Sequence, residues 1–189
     1  MPIQKSDEST VVSRAIDLFR QHGYHRTTMA EVGAASGLLK GSLYHYFQGK
    51  EQLAMRTIET VHAYFKTHIF PLAGSEAIPP EQRLQNLSEA IYRYFKSREG
   101  GCLVGNLALE TSDSVAEFRP AILSYFSDWI AAYALVYQGF GLNETDARAR
   151  AQEAVALIQG ALMMNRVFRS HQPLHDALQY LNQRRGAAA

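Results

Sequence analysis

The chain has 189 residues, 47% hydrophobic and 20% charged, which is ordinary globular usage and excludes a disordered or coiled-coil composition. Nineteen Lys and Arg against eighteen Asp and Glu leave a formal charge of +1, which excludes a heavily basic nucleic-acid coat protein but not a local basic face. The single cysteine, Cys102, excludes an intrachain disulfide framework and favours a reducing compartment. Met1 to Thr10 is polar, unlike a secretory leader, and apolar runs such as Ile130 to Tyr137 are too short to span a bilayer. A soluble, cytoplasmic protein is expected.

Apolar residues recur at helical spacing along the chain. Val11, Ala15, Leu18 and Phe19 predict a helix over 7–22, followed by short helices over 28–35 and 40–47 and a longer one over 50–70. After Pro71, the pair Pro79-Pro80 opens a helix over 80–97, whose inner face carries Leu84, Leu87, Ile91, Tyr94 and Phe95. A short helix over 103–112 precedes one over 115–140, where Phe118, Ile122, Tyr125, Phe126, Trp129 and Tyr133 share a face. Gly139 and Gly141 close that helix as C-cap glycines, and Asn143 caps the next, over 144–170, ahead of Glu144 and Asp146. A last helix covers 173–183, and the only low-complexity segment is the terminal Gly186 to Ala189. No stretch alternates with β-branched residues. The fold class is therefore all-α, with about nine helices in a small N-terminal domain, 1–52, and a larger helical domain, 53–189.

Residues Thr27 to Leu53 are the most informative. Thr28 can cap the short helix that follows it, Gly37 supplies a tight turn, and a second short helix starts near Lys40. Two short helices joined by a glycine turn form a helix-turn-helix layout, whose second helix enters the major groove of DNA. Lys40, Gly41 and Ser42 leave its tip polar and small, so the backbone can approach DNA closely. Leu43 and Phe47 share the opposite face and can pack on Val32 and Phe19. Tyr44 and His45 point outward, where they can reach phosphates or base edges. Gly49-Lys50 opens the next helix, where backbone N–H groups and an ammonium can hold a phosphate. The candidate DNA contacts are thus Thr27, Thr28, Lys40, Gly41, Ser42, Tyr44, His45 and Lys50. Residues 1–55 hold six basic and five acidic groups, so charge alone does not distinguish this segment from an ordinary bundle.

The segment resembles the TetR family of transcriptional regulators. The likeness runs from Arg14, Ala15 and Leu18-Phe19 through Gly23-Tyr24, Thr27-Thr28, Val32 and Gly37 to Lys40-Gly41-Ser42-Leu43-Tyr44, Tyr46-Phe47, Lys50 and Leu53. It implies a homodimer that represses from a palindromic double-stranded operator and releases DNA when a small inducer binds the C-terminal, ligand-binding and dimerisation domain. Two departures stand out. Leu39 occupies the place where the family often has Ser or Thr capping the recognition helix, and Gly33 replaces a common Ala.

In this family the region after Lys50 holds the ligand pocket and the dimer interface. Tyr92, Phe95, Tyr125, Phe126, Trp129 and Tyr133 are candidate ligand contacts, although aromatics at helical spacing are also ordinary core. The helix over 144–170 carries Ala147, Ala149, Ala151, Ala154, Ala156, Gly160 and Ala161, and the last helix carries Leu174, Leu178 and Leu181. The resemblance implies that these two helices pair between subunits. Gly100 to Glu110 looks like a motif of a subgroup, some of whose members respond to reactive electrophiles, which adds Cys102 to the candidate ligand contacts. The inducer can therefore be electrophilic. A thiol at a helix N-terminus behind two glycines would be open and activated, whereas Leu103, Val104 and Leu107 could instead bury it.

No catalytic motif is present: G-x-S-x-G, H-E-x-x-H, a P-loop and a dinucleotide fingerprint are all absent. His171 and His175 have metal-ligand spacing, but Pro173 interrupts the helix between them. No catalytic residue, metal or cofactor is expected. The alternative function is a helical adaptor or enzyme without DNA binding.

Overall fold

The computed structural model describes residues 7–112 and 114–184. The terminal Gly186 to Ala189 lies outside them. Among the described residues there are nine α-helices and no strand: α1 Glu8–His22, α2 Met29–Ala35, α3 Lys40–Leu43, α4 Lys50–His68, α5 Pro80–Lys96, α6 Leu103–Thr111, α7 Arg119–Gly139, α8 Glu144–Phe168 and α9 Gln172–Gln183. The helical periods predict these elements closely. The main departure is α3, which stops after one turn where the sequence predicts helix to Phe47.

The chain forms two compact units whose limits differ from a division at residue 52. One joins the residues up to His62 with Leu103–Ile122; the other joins Ala63–Cys102 with the residues from Leu123 onward. Helix α6, sequentially remote from the N-terminal helices, therefore belongs to their unit.

Within the first unit, α6 packs on α1. The Glu110 carboxylate accepts the backbone N–H of Tyr24 at 2.7 Å, and Asn106 Nδ2 donates to the Arg20 carbonyl at 3.3 Å. Gly23 makes that grip possible. Its φ of +88° lies in the region open mainly to glycine, and a Cβ there would stand 2.6 Å from a Glu110 oxygen. Tyr24 is buried against Phe19 and Phe118, with centroids 5.8 and 5.6 Å away, and its hydroxyl donates to Glu51 at 3.1 Å. Burial and the neighbouring Glu51 carboxylate raise its phenol pKa well above the usual value.

Polar caps start α1, α2 and α8. The Asp7 carboxylate accepts the Thr10 N–H at 2.9 Å, and Asn143 accepts the Asp146 N–H at 2.9 Å. Thr28 and Glu31 form a reciprocal capping box. In it the Thr28 backbone N–H, at 2.7 Å, and hydroxyl, at 2.9 Å, hold the Glu31 carboxyl below the ordinary glutamate range.

In the second unit α9 packs on α5 and α8. Leu174, Leu178 and Leu181 are buried in this single chain, which corrects the expectation that they face a second subunit. At the end of α7, Gly141 has the positive φ of a C-cap glycine, 90°. Gly139 does not cap. It is the last helical residue, and a Cβ on it would overlap the guanidinium of buried Arg83, which donates to the Ala73 carbonyl at 3.0 Å.

Two glycine substitutions separate strain from collision. Gly37 has φ +68° with open space around it, so Gly37→Ala should cost about 1 kcal/mol of backbone strain. Gly23→Ala adds displacement of Glu110 and should cost about 3 kcal/mol in chemical denaturation. Equal losses would show that the Glu110 contact contributes nothing.

Acid should loosen the α2 cap. Because the folded pKa of Glu31 lies below its unfolded value, its contribution is complete above the unfolded value and is lost as pH falls through the folded one. Thermal unfolding followed downward from about pH 6 should show a decline starting near pH 4, and Glu31→Gln should flatten part of it.

Candidate nucleic-acid interface and effector site

In the first unit α2 packs on α1 and α3. The turn between α2 and α3 closes with the Leu38 N–H on the Gly33 carbonyl at 2.8 Å, and Gly37 takes the left-handed conformation. Phe19, Val32, Leu43 and Phe47 are all buried, as their spacing predicts. Gly41, Tyr44 and His45 are exposed and Ser42 half-exposed, so the tip of α3 presents small and polar groups to solvent. A Cβ on Gly41 would meet nothing within 4 Å, so nothing among the described residues requires glycine there. The side chain of Lys40 lies outside what the structure describes.

The other candidate DNA contacts behave differently. Thr27 is 0% exposed, and its hydroxyl donates to the Gly23 carbonyl at 2.7 Å. It is a structural residue of the α1–α2 turn, which corrects its assignment as a DNA contact. Thr28 is exposed, but its hydroxyl is engaged in the capping box. Lys50, half-exposed at the start of α4, donates to the Tyr24 carbonyl at 3.1 Å, with its ammonium 4.3 Å from the Tyr24 ring centre. Besides whatever it offers a phosphate, Lys50 therefore ties α4 to the turn after α1.

Leu39 precedes α3 without any side-chain cap and is 81% exposed. Replacing a polar cap by an apolar residue costs a helix about 1 kcal/mol.

In the second unit the structure divides the aromatic candidates into three places. Phe95, Tyr125, Phe126 and Trp129 form one cluster. Its centre is Phe65, which spacing alone did not single out although it continues the buried face of Ile58 and Val61. Phe65 lies 5.3 Å from both Tyr125 and Trp129, and Phe126 and Phe95 lie nearly parallel to the indole at 6.4 and 6.3 Å. Tyr94 also joins, 4.8 Å from Phe65, with the Arg98 guanidinium 4.1 Å from its ring. Trp129 is fully buried, and its indole N–H finds no hydrogen-bond partner among the described residues.

Tyr92 and Tyr133 stand apart from that cluster. Tyr92 contacts His175 at 5.8 Å in an open groove of about 350 Å³ between α5 and α9, which Ser88, Leu178 and Asn182 also line. Tyr133 is buried beside Tyr137 at 6.3 Å, and burial raises its pKa strongly. Tyr137, also buried, is pushed up to about 12 by desolvation.

Cys102 is 4% exposed, and its sulfur lies 4.0 Å from the Tyr125 hydroxyl. The two preceding glycines, at φ +90° and +79°, shape the approach to α6 but do not open the thiol to solvent. No helix among the described residues is long and apolar enough to cross a membrane.

Known proteins resemble this chain in sequence and in fold. Residues 11–56 match the family described as bacterial regulatory proteins, tetR family, and residues 80–180 match the transcriptional regulator LmrA/YxaF-like C-terminal domain. The chain is 26% identical over 176 residues to the HTH-type transcriptional repressor DhaR of Mycobacterium sp. (strain GP1), spanning 89% of this chain and 86% of that one. It is 28% identical over 167 residues to the HTH-type transcriptional regulator LmrA of Bacillus subtilis (strain 168), spanning 87% and 88%. A TetR transcriptional regulator from Legionella pneumophila shares the fold, with a TM-score of 0.86 at 17% identity over 95% of this chain and 98% of that one. These relatives are regulators rather than enzymes, which sets aside the adaptor or enzyme alternative. With a helix-turn-helix in the matched N-terminal segment and the C-terminal match covering more than half its length, the chain belongs to the TetR family of DNA-binding transcriptional regulators.

Proposed function

We propose that the protein is a ligand-responsive repressor that binds a palindromic operator as a homodimer and releases it when a small molecule occupies the aromatic cluster. DNA recognition is assigned to residues 1–52, and ligand binding and dimerisation to 53–189. The observation that carries this function is the tip of α3, where Gly41, Tyr44 and His45 are exposed around open space. Gly41 lets the backbone approach the major groove. Ser42, Tyr44 and His45 supply donors and acceptors to base edges and phosphates, and Lys40 and Lys50 supply positive charge. Thr28 contributes through the exposed start of α2 that it caps.

Helix α8 supplies the dimer surface. Met163, Val167 and Phe168 are at least 60% exposed there, next to Leu157 and to Gly160, where a Cβ would meet nothing. Apolar residues at this spacing form a stripe along the helix, and a second copy of the same stripe would bury both.

Trp129 indicates what kind of ligand would fit. A buried N–H without an acceptor is unfavourable by about 1–3 kcal/mol, and a ligand oxygen or nitrogen placed against it would remove that cost. Phe65, Phe95 and Phe126 suit an apolar or aromatic body. Because Cys102 is buried against Tyr125, a neutral acceptor-bearing molecule suits these surroundings better than an electrophile that requires an open thiolate. Helices α4 and α6 run by chain connectivity from one compact unit into or next to the other, so they are the covalent routes for coupling.

Duplexes selected from a random pool test the function. The selected site should be palindromic, and exposed Tyr44→Ala should weaken binding to it at least about tenfold without lowering the melting temperature. Lys50→Ala should weaken binding to selected and random DNA alike and reduce the salt slope by about one. Selection of no sequence would overturn the assignment.

Assembly has a separate test. Val167→Glu should convert dimer to monomer in light scattering, because the charge would be buried in the paired stripe. An undisturbed dimer would place the interface elsewhere.

A further inference from the structure

We infer that Leu39 reads thymine: its side chain contacts the C5-methyl group of a thymine in the major groove and fixes the base preference at one position of each operator half-site. The inference rests on the proposed DNA recognition by α3.

Leu39 holds the N-cap position of the recognition helix, with φ −69° and ψ 148°, and its carbonyl accepts the Ser42 N–H at 2.9 Å. At that position a polar side chain would satisfy an open backbone N–H of the first turn, as Asp7, Thr28 and Asn143 do elsewhere in the chain. Leu39 makes no such bond, and 81% of it is in water. Leucine therefore leaves the free protein both an uncapped helix and an exposed apolar surface. Neither cost is offset among the described residues.

Its surroundings point to the occupant. Leu43, one turn further on, is buried and anchors the helix, whereas Leu39, with the extended backbone of a cap residue, keeps its side chain in water. Gly41 is open and Ser42 half-exposed, so Leu39 stands at the edge of a tip small enough for DNA to approach. Among the base-pair edges displayed in the major groove, the thymine methyl is the apolar group. Burying it against an isobutyl side chain removes apolar surface of both from water, whereas cytosine at the same place offers an amino group that leucine cannot bind.

The test uses the duplex that the wild-type protein selects from a random pool, with each thymine replaced in turn by deoxyuridine, which lacks only the methyl group. One symmetry-related pair of replacements should weaken wild-type binding by about fourfold per half-site, the factor expected for one buried methyl. Leu39→Ala should bind the thymine duplex correspondingly less tightly and should not distinguish it from the deoxyuridine duplex. Leu39→Ser, which restores a capping oxygen, should be equally indifferent, separating base contact from helix stability. Wild-type protein insensitive to every replacement, or a Leu39→Ala variant as sensitive as wild type, would overturn the inference while leaving DNA recognition intact. If no duplex is selected at all, the underlying recognition fails and the assignment of Leu39 fails with it.

Discussion

The contact on which the N-terminal unit depends is a carboxylate on a backbone turn. Glu110, near the end of α6, accepts the Tyr24 N–H at 2.7 Å directly over Gly23. The His25 ring also approaches the Glu110 carbonyl at 2.9 Å, so both the side chain and the backbone of one residue engage this turn. Charge-assisted bonds of this kind are stronger than neutral ones, and this one joins segments 86 residues apart. Around it Tyr24 gathers Phe19, Phe118 and Lys50, which orients α1 and the start of α4 behind the helix-turn-helix. A short recognition helix cannot hold itself in place, since a single turn satisfies few of its own hydrogen bonds. Its position is set by these neighbours.

Helix α6 belongs to the first unit but is joined in the chain to the second. Its N-terminus follows Cys102, the last residue of a segment of the second unit, and its C-terminal half holds the Gly23 turn. A ligand shifts an equilibrium only if it binds two conformations with different affinity. Glu110 marks a place in the first unit where a displacement of α6 would break or keep a specific bond. In the second unit the cluster around Phe65 combines dense aromatic packing with the buried Trp129 indole N–H, which has no hydrogen-bond partner among the described residues. Such a donor is costly in a core.

The candidate interface was partly legible in the sequence. The outward positions of Tyr44 and His45 and the inward ones of Leu43 and Phe47 follow from helical spacing around a glycine turn, and all four stand as expected. Thr27 and Thr28 could not be separated in this way. Adjacent threonines look alike in sequence, and only the fold turns one hydroxyl onto the Gly23 carbonyl and the other onto Glu31. The effector candidates were legible as aromatics but not as a group. Tyr92 lies two residues from Tyr94 on α5, so helical geometry turns it toward α9 and away from the cluster. Phe65 follows another aromatic, Tyr64, and only its helical period separates the buried ring from its exposed neighbour.

The sequence by itself determined the helices, their polar caps and the family resemblance, because hydrophobic period and capping chemistry act over a few residues. Tertiary structure decided which faces meet. It buried the leucines of α9 against α5 and α8, left Met163, Val167 and Phe168 of α8 outside, and sealed Cys102 against Tyr125. It also placed Gly139 against Arg83 for want of room instead of at a cap. Those outcomes depend on contacts between residues far apart in the chain. An apolar period shows that a face will be covered, but not whether another helix of the same chain, a second copy or a ligand covers it.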